Sequence, residues 1–154
     1  MLWRVCYDIL MDKINNTLTL EQGDKDALEK IGISAVILFG SRAVGTASEK
    51  SDYDIGILLK NPGLIYDRTA RTELYDAIYD LLSVRVGAPV NIDIVFLHQA
   101  PLDLQSHVMK HGQLLYEYQQ GTFANYREQV MENVSDFAPH RSLFEHSIIA
   151  RINV

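Results

Sequence analysis

Three short runs of apolar, β-branched residues constrain the fold of this chain more than any other feature. They occupy residues 34–39, 53–59 and 90–97, and glycine or proline lies close to each run. Runs of this length predict buried strands. Between the second and third runs, residues 67–84 repeat apolar side chains at helical spacing. A chain that passes from strands through a helix to another strand predicts an α/β (α+β) fold with a small mixed sheet flanked by helices.

The remaining elements follow from capping and turn residues. A helix is predicted over residues 20–31, with Thr19 as its N-cap. Further helices are predicted over residues 101–110 and 122–134, with a short helix after Pro139, and a short strand is predicted over residues 113–118.

Size and composition indicate a single domain. The 154 residues are 47% hydrophobic and 22% charged, which is sufficient for a core without disulfides. We predict an N-terminal extension over residues 1–18 and a domain over residues 19–154 whose last segments are helices. The sequence leaves open whether residues 1–10 belong to the native protein, because Met11 is an alternative start.

The chain is expected to be a soluble cytoplasmic protein with no membrane association. No window contains the roughly 18 to 20 consecutive apolar residues of a membrane helix, and the first twenty residues carry charges that a signal peptide lacks. The single cysteine, Cys6, cannot form an intramolecular disulfide. A net charge of −6 argues against direct nucleic-acid binding and suits metal cations or a basic protein partner.

A turn rich in small residues follows the first predicted strand. Gly40 and Gly45 allow an anionic ligand to approach the backbone closely, and Ser41 adds a hydroxyl donor. The turn is therefore a candidate phosphate cradle. It is not a P-loop, because Thr46 and Ala47 stand where that motif requires lysine followed by serine or threonine. An ordinary turn after a strand would look similar.

Two aspartates lie at the start of the second predicted strand. On an extended chain, Asp52 and Asp54 point to the same side. Two carboxylates a few Å apart repel each other unless a cation lies between them, so this pattern suggests a divalent metal. The alternative is a pair of solvated aspartates at the entrance of a strand.

A third acid, Asp93, lies inside the otherwise apolar run at residues 90–97. An unpaired charge there is unfavourable unless that part of the strand opens onto a site. If this strand neighbours the one that carries Asp52 and Asp54, the three carboxylates converge. Three such oxygen donors suit Mg²⁺, and a pair of ions held by them can activate an attacking hydroxyl and neutralise a leaving pyrophosphate.

These residues form one composite pattern: Gly40-Ser41, ten intervening residues, Asp52-Tyr53-Asp54, and Asp93 on a later strand. In this pattern the chain resembles the nucleotidyltransferases of the DNA polymerase beta superfamily, and among them the minimal nucleotidyltransferases. The resemblance spans roughly residues 20–118. It implies transfer of AMP from ATP to a hydroxyl, with release of pyrophosphate.

The resemblance also implies residue roles. By position, Gly40 and Ser41 hold the β and γ phosphates of the nucleotide. The implied catalytic residues, which would ligate two Mg²⁺ ions, are Asp52, Asp54 and Asp93. Arg42 is a further candidate for nucleotide binding, since a guanidinium can meet a phosphate with two donors. An ordinary surface arginine is the alternative.

A partner is implied as well. Minimal nucleotidyltransferases resemble the antitoxins of toxin–antitoxin pairs, whose HEPN-domain toxin is typically an RNase, and some adenylylate a tyrosine of that toxin. We therefore expect an antitoxin that forms a hetero-oligomer with a HEPN-domain toxin. Two alternatives remain open. One is a stand-alone enzyme that adenylylates a small-molecule hydroxyl, such as that of an aminoglycoside. The other is a non-catalytic subunit that neutralises its partner by contact alone.

Overall fold

The architecture is a four-stranded mixed sheet with helices on both faces. The computed structural model describes residues 18–87 and 89–152, with side chains as far as residue 139. The strands are β1 (Ile33–Phe39), β2 (Tyr53–Leu59), β3 (Ile92–Phe96) and β4 (Gln113–Glu117). The helices are α1 (Gln22–Lys30), α2 (Gly40–Ala43), α3 (Arg68–Val86), α4 (Leu102–His111) and α5 (Thr122–Ile152), with 3-10 turns at Pro62–Tyr66 and Leu97–Gln99. The predicted fold class is confirmed.

The strand order is β3-β2-β1-β4. β1 is antiparallel to both β2 and β4, whereas β2 is parallel to β3. A parallel pair needs a crossover, and α3 supplies it between β2 and β3. In the resulting register, Phe39 lies opposite Asp54, and Asp54 lies opposite Asp93. The end of β1 therefore meets the starts of β2 and β3 at one end of the sheet.

Both faces of the sheet are buried, which explains why the central strands are continuous apolar runs. On one face, Val36 packs in a cluster with Leu28 of α1 and Ile78 of α3. On the other face, Ile37 packs in a cluster with Val108 of α4 and residues of α5. Polar side chains of the strands are consequently concentrated near the strand ends.

Helix α1 begins later than predicted. Leu18 and Leu20 are buried while Thr19 between them is exposed, so the chain alternates there and Thr19 is not the N-cap. Glu21 takes that position, and its N–H donates to the carboxylate of Asp24 at 2.8 Å. The prediction failed because burial of two leucines at alternate positions outweighs the capping preference of threonine.

Helix α5 runs from Thr122 to Ile152 and contains Pro139. The prediction of one helix that ends at residue 134 and a short one after Pro139 is therefore wrong. A proline removes one backbone donor, here the one that would bond to the carbonyl of Ser135, and the hydrogen bonds on both sides continue the helix.

The predicted domain boundary lies at the edge of the described residues. Leu18, assigned by the sequence to the extension, is buried in the core. Residues 1–17 lie outside the described part of the chain, so the extension over residues 1–18, the domain over 19–154 and the origin of residues 1–10 stay predictions. No helix within the described part is long and apolar enough to cross a membrane.

Candidate functional site

Three aspartates lie at the end of the sheet where β1 ends and β2 and β3 begin. Asp54 and Asp93 are direct partners on neighbouring strands, and such strands lie about 4.8 Å apart. Asp52, two residues before Asp54, is directed to the same side of the chain. Asp52 and Asp93 are exposed, and Asp54 is partly buried. The structure thus brings the three predicted acids to one place.

The three carboxylates share one electrostatic environment. Burial raises the pKa of Asp54, and the negative charges of Asp93 and Asp52 raise it further. As the side chains stand, no three His, Cys, Asp or Glu residues in the described part of the chain form a ready metal site. Mutual repulsion opposes a closer approach of uncompensated carboxylates, and a cation removes that repulsion. The donor chemistry and the strand register therefore fit Mg²⁺, provided that the carboxylates close around it.

Gly40 lies against this acidic cluster. Its φ is +71°, and a β-carbon at this position would overlap the Asp54 carboxylate. Glycine is therefore required both by the left-handed backbone and by the close approach of the aspartate. Ser41 follows in the one-turn helix α2 and is partly buried. The predicted phosphate cradle and the predicted metal ligands are consequently adjacent, although the phosphate contact itself stays a prediction.

Arg42, a predicted nucleotide-binding residue, contacts the loop before β2. Its Nε–H donates to the carbonyls of Ser51 at 2.9 Å and Asp52 at 3.2 Å. Its Nη2 donates to the carbonyl of Glu49 at 3.3 Å and also to that of Ser51. The guanidinium carbon lies 3.9 Å from the centre of the Tyr53 ring. Arg42 therefore faces the loop before β2 and is not an unengaged surface arginine, while its contact with a phosphate stays a prediction.

Sequence reasoning missed this contact for a physical reason. Arg42 lies on a one-turn helix and reaches an irregular loop nine residues further along the chain. Neither hydrophobic periodicity nor a spacing motif reports a bond between a side chain and loop carbonyls. The only available signal was the residue type, because arginine carries five donors and can serve several acceptors at once.

Residues 25–121 match the protein family described as "Polymerase beta, Nucleotidyltransferase". The matched stretch is well over half of the chain and contains every candidate site residue. No curated protein matches the sequence significantly.

Three solved structures show the same fold. A chain of a toxin–antitoxin crystallised with AMP-PNP is 22% identical, with a TM-score of 0.62, over 84% of this chain and 99% of that chain. A chain of the toxin–antitoxin MntA-HepT is 19% identical, with a TM-score of 0.55, over 84% and 99%. A chain from the complex of tri-AMPylated Shewanella oneidensis HEPN toxin with MNT antitoxin is also 19% identical, with a TM-score of 0.55, over 84% and 99%. At these identities the likeness establishes the fold alone.

Proposed function

The chain belongs to the polymerase beta nucleotidyltransferase family, and we propose that it transfers AMP from ATP to a hydroxyl and releases pyrophosphate. The observation that carries this proposal is the register that sets Asp54 opposite Asp93, with Gly40 against the Asp54 carboxylate. Transfer of this kind depends mainly on positioning and on charge neutralisation. Both requirements can be met at this end of the sheet.

The turn after β1 would bind the triphosphate. Gly40 lacks a side chain, and the Asp54 carboxylate occupies the space that a β-carbon would take, so the turn lies directly against the proposed metal ligands. Ser41, the next residue, offers a hydroxyl donor beside the backbone donors of the turn. These groups would hold the β and γ phosphates and orient the α phosphate toward the acceptor hydroxyl.

Asp52, Asp54 and Asp93 would hold Mg²⁺, two ions in the complete site. When bound, these ions neutralise phosphate charge and lower the pKa of the acceptor hydroxyl. The protein's own part is to hold the carboxylates in register on neighbouring strands. Asp93 is exposed on β3, which is an edge strand of the sheet, so an acceptor can approach it from solvent.

The acceptor we propose is a tyrosine of a HEPN-domain toxin, which this chain would inactivate as its antitoxin in the cytoplasm. Two observations support this choice. Solved structures of the same fold include toxin–antitoxin complexes, and the toxin of one of them is described as tri-AMPylated. The net charge of −6 also favours association with a basic protein surface.

The test is a transfer assay with ATP labelled at the α phosphate, in the presence and absence of a co-purified partner. We expect label on a partner tyrosine, with a mass increase of one or more AMP groups. Asp54→Asn should strongly reduce labelling, whereas Asp76→Asn, which removes an exposed carboxylate from α3, should not. Label on a small molecule alone would contradict the proposed acceptor. Full neutralisation of a toxin by Asp54→Asn without labelling would contradict the catalytic role.

A further inference from the structure

We propose that Arg42 is a positioning residue that locks the loop before β2 and thereby sets Asp52 beside the phosphate-binding turn. The inference rests on the proposed nucleotidyl transfer, because it assigns Arg42 a part in preparing that site. It differs from the direct phosphate contact that the sequence suggested. This loop, the clamp loop, covers residues 44–52.

One side chain serves three backbone carbonyls of the clamp loop. The acceptors belong to Glu49, Ser51 and Asp52, and the contacts come from both Nε and Nη2 of Arg42. A planar guanidinium with donors in a fixed fork can bind several acceptors in one geometry, which a lysine ammonium on a flexible stem cannot do. This side chain therefore restrains the path of the loop into β2.

The clamp loop has few other restraints of its own. Thr46 N–H donates to the Ser41 carbonyl at 3.0 Å, and Ser51 N–H donates to the Ser48 carbonyl at 3.1 Å. Ser48 and Ser51 also join through their side chains. These bonds shape the beginning and the middle of the loop. Arg42 ties the last residues of the loop to the turn after β1.

The guanidinium is itself anchored to the core. It lies over the ring of Tyr53, which is only 3% exposed, and the backbone N–H of Tyr53 donates to the carbonyl of Asn91 at 2.9 Å. Stacking of a guanidinium on a buried aromatic ring fixes its plane as well as its position. Arg42 thus contacts the buried Tyr53 ring with one face of its guanidinium and binds the clamp loop through its N–H donors.

Arg42 therefore connects the phosphate-binding turn of the proposed site to the metal ligand Asp52. Arg42 directly follows Ser41, and its bonds end on the backbone of Asp52. If the loop were free, Asp52 would have to be ordered each time that Mg²⁺ binds, and that ordering would oppose binding. Arg42 pre-organises Asp52, so its loss should weaken the response to Mg²⁺ more than the binding of the nucleotide.

Arg42→Lys tests this inference, because it keeps the charge and removes the fork. Arg85→Lys is the matched control: Arg85 also binds more than one residue, but its partners are Glu21 at 2.9 Å and Asp24 at 2.7 Å at the start of α1 and not the clamp loop. Amide hydrogen exchange of residues 46–52 is measured without metal or nucleotide. We expect exchange to accelerate at least about 10-fold in Arg42→Lys and to remain unchanged in Arg85→Lys.

The second readout is the transfer reaction. We expect the Mg²⁺ concentration for half-maximal transfer to rise about 10-fold in Arg42→Lys, while KM for ATP at saturating Mg²⁺ changes less than about twofold. Unchanged loop exchange would overturn the inference. A raised KM for ATP with an unchanged Mg²⁺ requirement would also overturn it, because that pattern indicates a direct phosphate contact.

If Arg42→Lys does not fold, Arg42→Gln, which retains one amide donor, is measured in its place with the same expectations. If the wild-type chain shows no transfer, the proposed function fails, yet the exchange data on residues 46–52 still decide whether Arg42 holds the clamp loop.

Discussion

The two ends of the sheet are built on opposite principles. At the end formed by the turn after β1, three carboxylates face one another, and burial together with the neighbouring charges raises the pKa of Asp54. At the opposite end, aromatic rings contact an amide, an imidazole and a lysine ammonium. Tyr126 donates its hydroxyl hydrogen to Gln105 Oε1 at 2.9 Å and packs edge-on against His98 with ring centres 5.3 Å apart. There, too, Lys60 Nζ lies 3.2 Å from the centre of the Tyr118 ring.

The contacts at the aromatic end stabilise the fold, whereas the carboxylate end does not contribute in that way. Like charges held together destabilise the free protein and are relieved by a bound cation. A cluster of this kind is a candidate for function, whereas the aromatic end is a candidate for structural support. An open cleft of about 450 Å³ lies at the opposite end, but its volume alone does not indicate a ligand.

The largest effect is expected from Asp54→Asn at the carboxylate end. Transfer should fall by about 10²- to 10³-fold, because a group that stabilises the transition state is lost. The melting temperature should stay constant or rise slightly, because one of three mutually repelling charges is removed. Transfer assays and thermal unfolding of the same preparation check both parts. A clear fall in melting temperature would show that the acidic cluster supports the fold, and the contrast between the two ends would break down.

The next effect is expected from Gly40→Ala. A side chain at φ +71° costs roughly 1–2 kcal/mol, and overlap with the Asp54 carboxylate should add at least about 1 kcal/mol. Denaturant unfolding measures the sum. Gly121→Ala is the matched control, because its φ is +93° and nothing lies within 4 Å of the added carbon. Equal losses in the two variants would show that Gly40 is required for its backbone alone.

A smaller effect is expected from Tyr126→Phe at the opposite end. Burial raises the pKa of Tyr126 to about 12, so its hydroxyl remains a donor at every working pH. Loss of the bond to Gln105 should remove about 1 kcal/mol of stability, or about 2–4 °C in melting temperature. Transfer should be unaffected. Tyr118→Phe, which keeps the ring beneath Lys60, is the control and should not change the melting temperature. A changed Mg²⁺ requirement in Tyr126→Phe would show that the two ends are coupled.

The smallest effect concerns pH. Burial lowers the pKa of His98 below its ordinary value of 6.5. Below that pH the unfolded chain binds a proton that the folded chain does not, so His98 makes the fold less stable as the solution becomes more acidic. His98→Phe keeps a ring against Tyr126 and removes the titration. As the pH is lowered from 7.5 to 5.5, the melting temperature of His98→Phe minus that of the wild type should therefore increase. A melting-temperature difference that does not change with pH would contradict a lowered pKa of His98.

Local patterns were sufficient for most of the fold. β2 has the bounds that its apolar run predicts, because a strand buried on both faces leaves an unbroken apolar signal. The long crossover helix α3 was also predicted, although it extends two residues further, to Val86, where Gly87 adopts the left-handed C-cap. The failures at Thr19 and Pro139 arose where burial or helix continuation overrode a local preference.

By itself, the sequence determined the kinds of chemical group this protein can offer: two aspartates at alternate positions, a third in an apolar strand, and a glycine-serine turn. Those features are local, and their spacing can be recognised directly in the sequence. Only the tertiary structure decided that Asp54 and Asp93 are neighbours and that Arg42 holds the loop leading to Asp52. Both relations depend on strand register and on side-chain reach across space, which no spacing along the chain encodes.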